Sequence, residues 1–337
     1  NKDEELLELV TRSLEGHLEF MLPDGGWDNS WGTRQFKWTY WGSRTSDGCS
    51  PTYGLMADRN PAFGTAVVKN TELLKRCTAD GLLHGGPHYV SHGIKPCVHH
   101  TFAHAKPLAF MLDHFNHLPE INAYEPLPRT IADGIKPFDE IDTLLFARGD
   151  WRGTLTAYDA EYHHEKDFRQ ATGGTLSVLY HNKVGLLLSA SMAEYKLVEV
   201  NNQQAAPGED IALTPRIETY QDGSRYTNLF DLAARIDGHD EDGLISLAAS
   251  TVLKNSSREV PENTASEFDI RYECRAEEMN ITARSSQDIK SKTSFVLPVI
   301  SMQREEVTQI SSNEITIRKP GGLVRISASE PLKIKDT

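Results

Sequence analysis

The chain has 337 residues, 39% of them apolar and 25% charged, which is the balance of a globular protein large enough for two domains and a sizeable core. Its formal net charge of −13 argues against a general binder of nucleic acid or of an anionic membrane surface, since both need a positive field. No run of about 18 apolar residues occurs, so no membrane-spanning helix is expected.

The first residue is Asn and no secretory leader is legible, so a trimmed, mature or partial chain is expected. The four cysteines, Cys49, Cys77, Cys97 and Cys274, form no CxxC pair. Zinc-finger and thioredoxin-type motifs are therefore not expected, and free thiols with at most one bridge are.

In chain order, Leu6, Leu7, Val10, Leu14 and Leu18 follow helical spacing, and Asp24-Gly25-Gly26 is read as the end of that helix. Asn60-Pro61 reads as an N-cap followed by proline at the first helical position, with Phe63, Val67, Val68 and Leu74 as the apolar stripe. "CVHHTFAHAKPLAFMLDHF" continues in helical style from Cys97, and Pro107 is expected to kink or restart it.

From about Trp151 the hydrophobic period becomes two. "GTLTAYD", "GTLSVLYH", "VGLLLSASM", "YKLVEVN", "PRIETY", "LISLAAS", "EFDIRYECRA", "NITARS", "TSFVLPVIS", "EITIRK" and "LVRISAS" read as short strands. Asp222-Gly223, Asp237-Gly238, Asp242-Gly243 and Pro320-Gly321-Gly322 read as the turns between them. Eleven or more strands without an intervening helical pattern predict an antiparallel β-sandwich. The expected organisation is α+β and multidomain, with a helical domain over 1–145 and an antiparallel β-sandwich domain over 146–337.

Three stretches carry side chains suited to chemistry. "DGGWDNSWGTRQFKWTYWGSRTSDGC", Asp24 to Cys49, holds four of the five tryptophans, two arginines, a lysine and five glycines. Trp27, Trp31, Trp38 and Trp41 offer flat apolar faces on which sugar rings stack, with Tyr40 among them. Arg34, Lys37 and Arg44 can pair with carboxylates or sulfates, and Asn29 can donate to a carboxylate. The competing reading is tryptophans packed beneath a long loop.

"LLHGGPHYVSHGIKPCVHHTFAHAK" holds His84, His88, His92, His99, His100 and His104. Several pairs have i,i+4 spacing, but Gly and Pro interrupt the helix that a metal site would need and no HExxH occurs, so no metal is expected. A single well-placed histidine suffices as a proton acceptor near neutral pH, and Tyr89 beside His88 is a second proton-transfer candidate. The third stretch, "YDAEYHHEKDFRQATGGTLSVLYH", carries Tyr158, Tyr162, His163, His164 and His181. Exposed sheet-face residues are the plain reading. The sharper one is a hairpin that overhangs the helical half and adds a residue to a shared cleft.

The "DGGWDN" loop in a helical half, followed by a strand half opening "GDWRGTLTAYD…GGTLSVLYH", resembles the polysaccharide lyases of the heparinase II/III type and their alginate-lyase relatives. The resemblance implies an α/α toroid, here incomplete because the helical half is too short to close a ring, joined to an antiparallel β-sandwich. It implies β-elimination on an acidic, uronic-acid-containing polysaccharide without a cofactor, and a periplasmic or extracellular location. On it, Asn29, Arg34 and Arg44 fit neutralisation of the substrate carboxylate. Tyr40, His84, His88 and Tyr89 fit proton transfer, with His163 or His164 reaching over from the sandwich. Such chemistry needs electrostatic stabilisation of an enolate-like intermediate, which Asn, Arg and His supply. Two other classes stay open: a glycoside hydrolase using Asp28 and Asp47, with Asp24 next in rank, and a non-catalytic glycan-binding protein.

Overall fold

The computed structural model describes residues 3–28, 40, 49–93, 96, 98–157, 172–190 and 213–335. Helix α1 (Glu4–Leu18) begins at Asp3, whose carboxylate accepts the Leu6 N–H at 3.1 Å. It is followed by α2 (Cys49–Leu55) and α3 (Pro61–Arg76). Asn60 caps α3 as its sequence predicts, its side chain accepting the Ala62 N–H at 3.0 Å with Pro61 in the first turn. A two-residue pair of strands, β1 (Thr78–Ala79) and β2 (Leu82–Leu83), leads to the short α4 (Pro87–Ser91). Helix α5 (Val98–Asp113) runs through Pro107 as one element and neither stops nor restarts there. The one-turn α6 (Pro128–Ile131) closes the helical stretch.

The strands are β3 (Gly134–Phe138), β4 (Thr143–Arg148), β5 (Trp151–Thr156), β6 (Thr175–His181) and β7 (Gly185–Ser189), then β8 (Arg216–Gln221) and β9 (Ser224–Thr227). They continue with β10 (Arg235–Glu241), β11 (Leu244–Val252), β12 (Glu267–Cys274), β13 (Met279–Arg284), β14 (Thr293–Val296), β15 (Glu306–Ser311), β16 (Glu314–Lys319) and β17 (Gly322–Ser327). All pairings are antiparallel, with orders β3-β4-β5-β6-β7, β10-β11-β12-β13, β14-β8-β9 and β15-β16-β17, besides the β1-β2 pair.

The toroid expectation is overturned. Among the described residues there are 17 strands in five sheets and six α-helices, and only α1, α3 and α5 exceed two turns. Their shared core is one compact cluster around Leu14, Leu18, Met21, Tyr53, Phe63 and Val67, not the repeating helix-pair interfaces of a ring. Helical periodicity showed which segments coil, but not how many helices pack together or around what. The later part is sandwich-like. Phe146, Leu155, Leu179 and Leu188 of the five-stranded sheet face Ile245, Leu247, Phe268 and Ile270 of the four-stranded sheet across one core. Asp237-Gly238, expected to be a turn, lies inside β10 opposite Ala248 and Leu247.

The five-stranded sheet also carries the helical layer on its outer face. The period-2 pattern of "TLSVLYH" would put Leu176, Val178 and Tyr180 on one face. Instead the β5–β6 register slips between Thr154 and Leu155, leaving Ser177 as an extra residue. Leu176 therefore joins the sandwich core, while Val178 and Tyr180 pack with Leu22, Tyr40, Leu73, Leu74 and Leu83 of the helical layer. A second tie is polar and buried. Arg129 of α6 reaches Asp28 at 3.2 Å, the Gly153 carbonyl at 2.7 Å and the Thr154 hydroxyl at 3.0 Å, and Thr154 also donates to Asp28.

Candidate active site

The "DGG" of the opening motif is a turn whose glycines are required by their neighbours. Leu22 N–H bonds the Gly26 carbonyl at 2.7 Å and Gly25 N–H returns to Leu22 at 2.9 Å. Gly25 sits at φ +88°, and a Cβ there would lie 2.4 Å from the Lys69 carbonyl carbon. That close approach lets the Asn70 amide donate to the Gly25 carbonyl at 2.8 Å, fastening the turn to α3. A Cβ on Gly26 would lie 2.4 Å from the Tyr40 ring. Glycine at both positions thus sets Asp24 between α3 and Tyr40.

Tyr40 is the junction of the site. Its carbonyl accepts the Trp27 N–H at 2.9 Å, and its own N–H donates to Gly85 at 2.7 Å. Its phenol donates to Asp24 Oδ1 at 2.5 Å. The side chain is 5% exposed, and burial, reinforced by the Asp24 charge, pushes the phenol well above its ordinary value. Burial likewise raises Asp24, although the Tyr40 and Gly26 hydrogen bonds and Arg76 work against the rise. Tyr180 of β6 is raised for the same reason, with Asp24 as the next cause. Arg76 stands 3.7 Å from the other carboxylate oxygen. In front of this group opens a cleft of about 640 Å³ lined by Asp24, Lys69, Glu72, Lys75 and Arg76.

The bond from Tyr40 to Gly85 brings the His84–Tyr89 stretch alongside. His84 is half-buried, with its N–H on the Cys77 carbonyl at 2.8 Å. His88 and Tyr89 lie on α4 with ring centroids 4.5 Å apart, edge to face. Burial, helped by His92 and Lys319, depresses His88 to about 4, so its imidazole is neutral near pH 7. Tyr89 is buried. Helix α4 also docks on the later domain, His92 Nε2 lying 2.9 Å from the Ser301 carbonyl.

The backbone bond from Tyr40 to Gly85 and the His88–Tyr89 ring contact place the stretches that carry Tyr40, His84, His88 and Tyr89 next to each other, with the Tyr40 and Tyr89 side chains buried. It removes Trp27 from the sugar platform: the indole is 3% exposed and stacked on His17 at 4.4 Å, with Tyr53 beyond at 6.1 Å. Enclosed in this way, it cannot meet a sugar ring. Asp28 is likewise unsuited to the hydrolase reading, because its carboxylate is enclosed and held by Arg129 and Thr154. Asn29, Trp31, Arg34, Lys37, Trp38, Trp41, Arg44, Asp47, His163 and His164 lie outside the described residues. His100 and His104 are buried one turn apart on α5, His104 Nδ1 lying 3.0 Å from the His100 carbonyl. Among the described residues, no group of three or more His, Cys, Asp or Glu could hold a metal ion.

Sequence patterning did not mark Lys69, Lys75 and Arg76. They fall between the apolar positions of α3, where a basic last turn ordinarily serves only the helix dipole. Their one signal was shared helical spacing, Lys69 with Glu72 and Arg76 three and seven residues on.

Comparison with known proteins matches the two halves of the chain to two family models. Residues 1–130 match the ulvan lyase N-terminal domain and residues 135–337 the ulvan lyase C-terminal domain. A broad-specificity ulvan lyase of Formosa agariphila is 62% identical over 336 residues, covering 100% of this chain and 53% of that protein. The chain thus spans about half the length of the curated relative it matches. No solved structure matches it. With both halves matched in order and along nearly their whole length, the chain belongs to the ulvan lyase family.

Proposed function

We propose that the protein is a polysaccharide lyase that cleaves an anionic, uronic-acid-containing polysaccharide by β-elimination, with ulvan, for which its relative is named, as the first polymer to test. The observation that carries this reading is the match of both halves of the chain to the ulvan lyase domains, with Tyr40 and His88 proposed as the groups that move protons.

In such a reaction a base takes the proton at C5 of the uronate. The C–H electrons form the C4–C5 double bond, the C4–O bond breaks, and the leaving oxygen takes a proton. His88, neutral at working pH, has the lone pair a base needs. Tyr40, held protonated, has the proton a leaving oxygen needs, and Asp24 orients that phenol. The proton on C5 is weakly acidic until the adjacent carboxylate is offset, so cations or amide donors must face that group. Asn29, Arg34 and Arg44 are proposed for this role, and Trp31, Lys37, Trp38 and Trp41 for holding the chain of sugars. The kinship with heparinase II/III-type lyases is proposed for the reaction class only. A polymer too large to enter a cell suggests periplasmic or extracellular action.

The test is incubation with a panel of uronate polymers, ulvan included, while near-ultraviolet absorbance of the unsaturated product is followed. Appearance of that absorbance with chain shortening is expected. Reducing ends without absorbance would make the protein a hydrolase, and binding with neither signal would make it a glycan-binding protein.

A further inference from the structure

We infer that the cleft between α3 and the Leu22–Gly26 turn is an anion-binding subsite that takes a carboxylate or sulfate of the polysaccharide through Lys69, Lys75 and Arg76. The inference deepens the lyase reading and rests on it for the identity of the polymer.

Three observations carry it. The cleft, open to solvent and about 640 Å³, lies within the size range of ligand pockets. Its lining holds three cations against the two acids Asp24 and Glu72, a local excess of positive charge on a protein whose net charge is −13, so a polyanion is steered there rather than to the rest of the surface. Lys75 and Arg76 are exposed and Lys69 is partly exposed. Arg76 is 52% exposed and only grazes Asp24, with 3.7 Å to the carboxylate and 3.5 Å to the carbonyl. A guanidinium so placed can turn a bidentate edge toward an incoming oxyanion.

The two acids in the cleft complete the site for a sugar. Glu72, one turn from Lys75 and Arg76, can accept from ring hydroxyls that neighbour the anionic group. Asp24 is tied to Tyr40, so substrate drawn to Arg76 comes within one residue of the proposed proton donor. Gly25 is what allows this close juxtaposition, because any side chain there would collide with the Lys69–Asn70 backbone and push the turn off α3. The helix dipole also explains a basic last turn on α3, but not a concave site in front of it.

The experiment is affinity electrophoresis of the protein in gels containing ulvan or, as neutral control, dextran, together with KM for the elimination reaction. Lys75→Ala/Arg76→Ala removes two exposed cleft cations. Lys333→Ala/Lys335→Ala removes the same charge from the exposed C-terminal stretch. The cleft variant is expected to bind ulvan at least about 10-fold more weakly and to raise KM similarly, while the distal variant and dextran mobility do not change. Equal weakening in both variants would mean that net charge alone governs binding and would overturn the subsite. So would unchanged binding in the cleft variant, or no retardation of the wild-type protein by ulvan. Retarded wild-type protein that forms no unsaturated product would instead overturn the lyase reading and leave the subsite standing. Unsaturated product with unchanged KM in the cleft variant would do the reverse.

Discussion

Replacing Arg129 by alanine tests whether the helical layer is fastened to the sheet by a buried charge. Arg129 is 3% exposed and Asp28 2%, so neither charge reaches bulk water in the folded protein. The guanidinium bonds Asp28 at 3.2 Å, Gly153 at 2.7 Å and Thr154 at 3.0 Å. Arg129→Ala leaves the buried Asp28 carboxylate without its cationic partner and removes the bonds from the guanidinium to Gly153 and Thr154. Removing one partner of a buried pair costs about 3–5 kcal/mol. At roughly 2–4 °C per kcal/mol for domains of this size, the melting temperature should fall by roughly 6–20 °C. Removing both charges is a different perturbation, because the uncompensated ion disappears. Asp28→Asn/Arg129→Met should therefore be more stable than Arg129→Ala, with a coupling of about 1–3 kcal/mol in the double-mutant cycle built from Asp28→Asn and Arg129→Met. Urea denaturation followed by tryptophan fluorescence, with calorimetry, measures both. A loss below about 1 kcal/mol in Arg129→Ala, or strictly additive single substitutions, would refute the idea that this pair fastens the layers.

Other perturbations follow from the same geometry. Tyr40→Phe and His88→Ala should each lower an elimination rate about 100-fold or more if these groups transfer protons; full activity in both would move the base to His84, Tyr89 or the His163-His164 pair and leave the reaction class standing. Gly25→Ala should destabilise by roughly 1–3 kcal/mol, because φ +88° and the approach to Lys69 both exclude a side chain; a melting temperature equal to wild type would show that the turn can shift. His17, His88 and His104 are each depressed to about 4 by burial, against about 6.5 when unfolded. The unfolded chain then binds more protons between those values. Their contribution to stability is accordingly full above about pH 6.5 and is lost as the pH falls toward about 4. Urea midpoints at a series of pH values should fall through that window, and His88→Gln should flatten the fall.

Much of the local structure was written into the chain. Asn60-Pro61 starts α3 because a side-chain acceptor and a fixed φ meet the needs of the first turn wherever the helix lies. Strand alternation in "LISLAAS" and "EFDIRYECRA" follows from one buried face, and both became paired strands of the four-stranded sheet. The concentration of aromatic and imidazole side chains around Tyr40 and His84–Tyr89 was legible as composition, since few other stretches hold so many.

What patterning left open was set by partners distant in sequence. A helical period cannot tell a ring of helix pairs from a thin layer on a sheet, because both bury one stripe per helix; packing against Val178 and Tyr180 decided it. Trp27, Trp31, Trp38 and Trp41 share one motif, yet Trp27 is core because it stacks with His17 and Tyr53 inside the helical cluster. Asp28 read as a free carboxylate until Arg129, 101 residues on, neutralised it. Lys69 and Arg76 carried no mark in the sequence, and the Gly25 turn docked beside them is what makes a cleft there. Short-range spacing records how each segment satisfies its own backbone and its own buried stripe; which charges meet, and which rings are covered, depends on contacts across tens of residues that only the folded chain brings together.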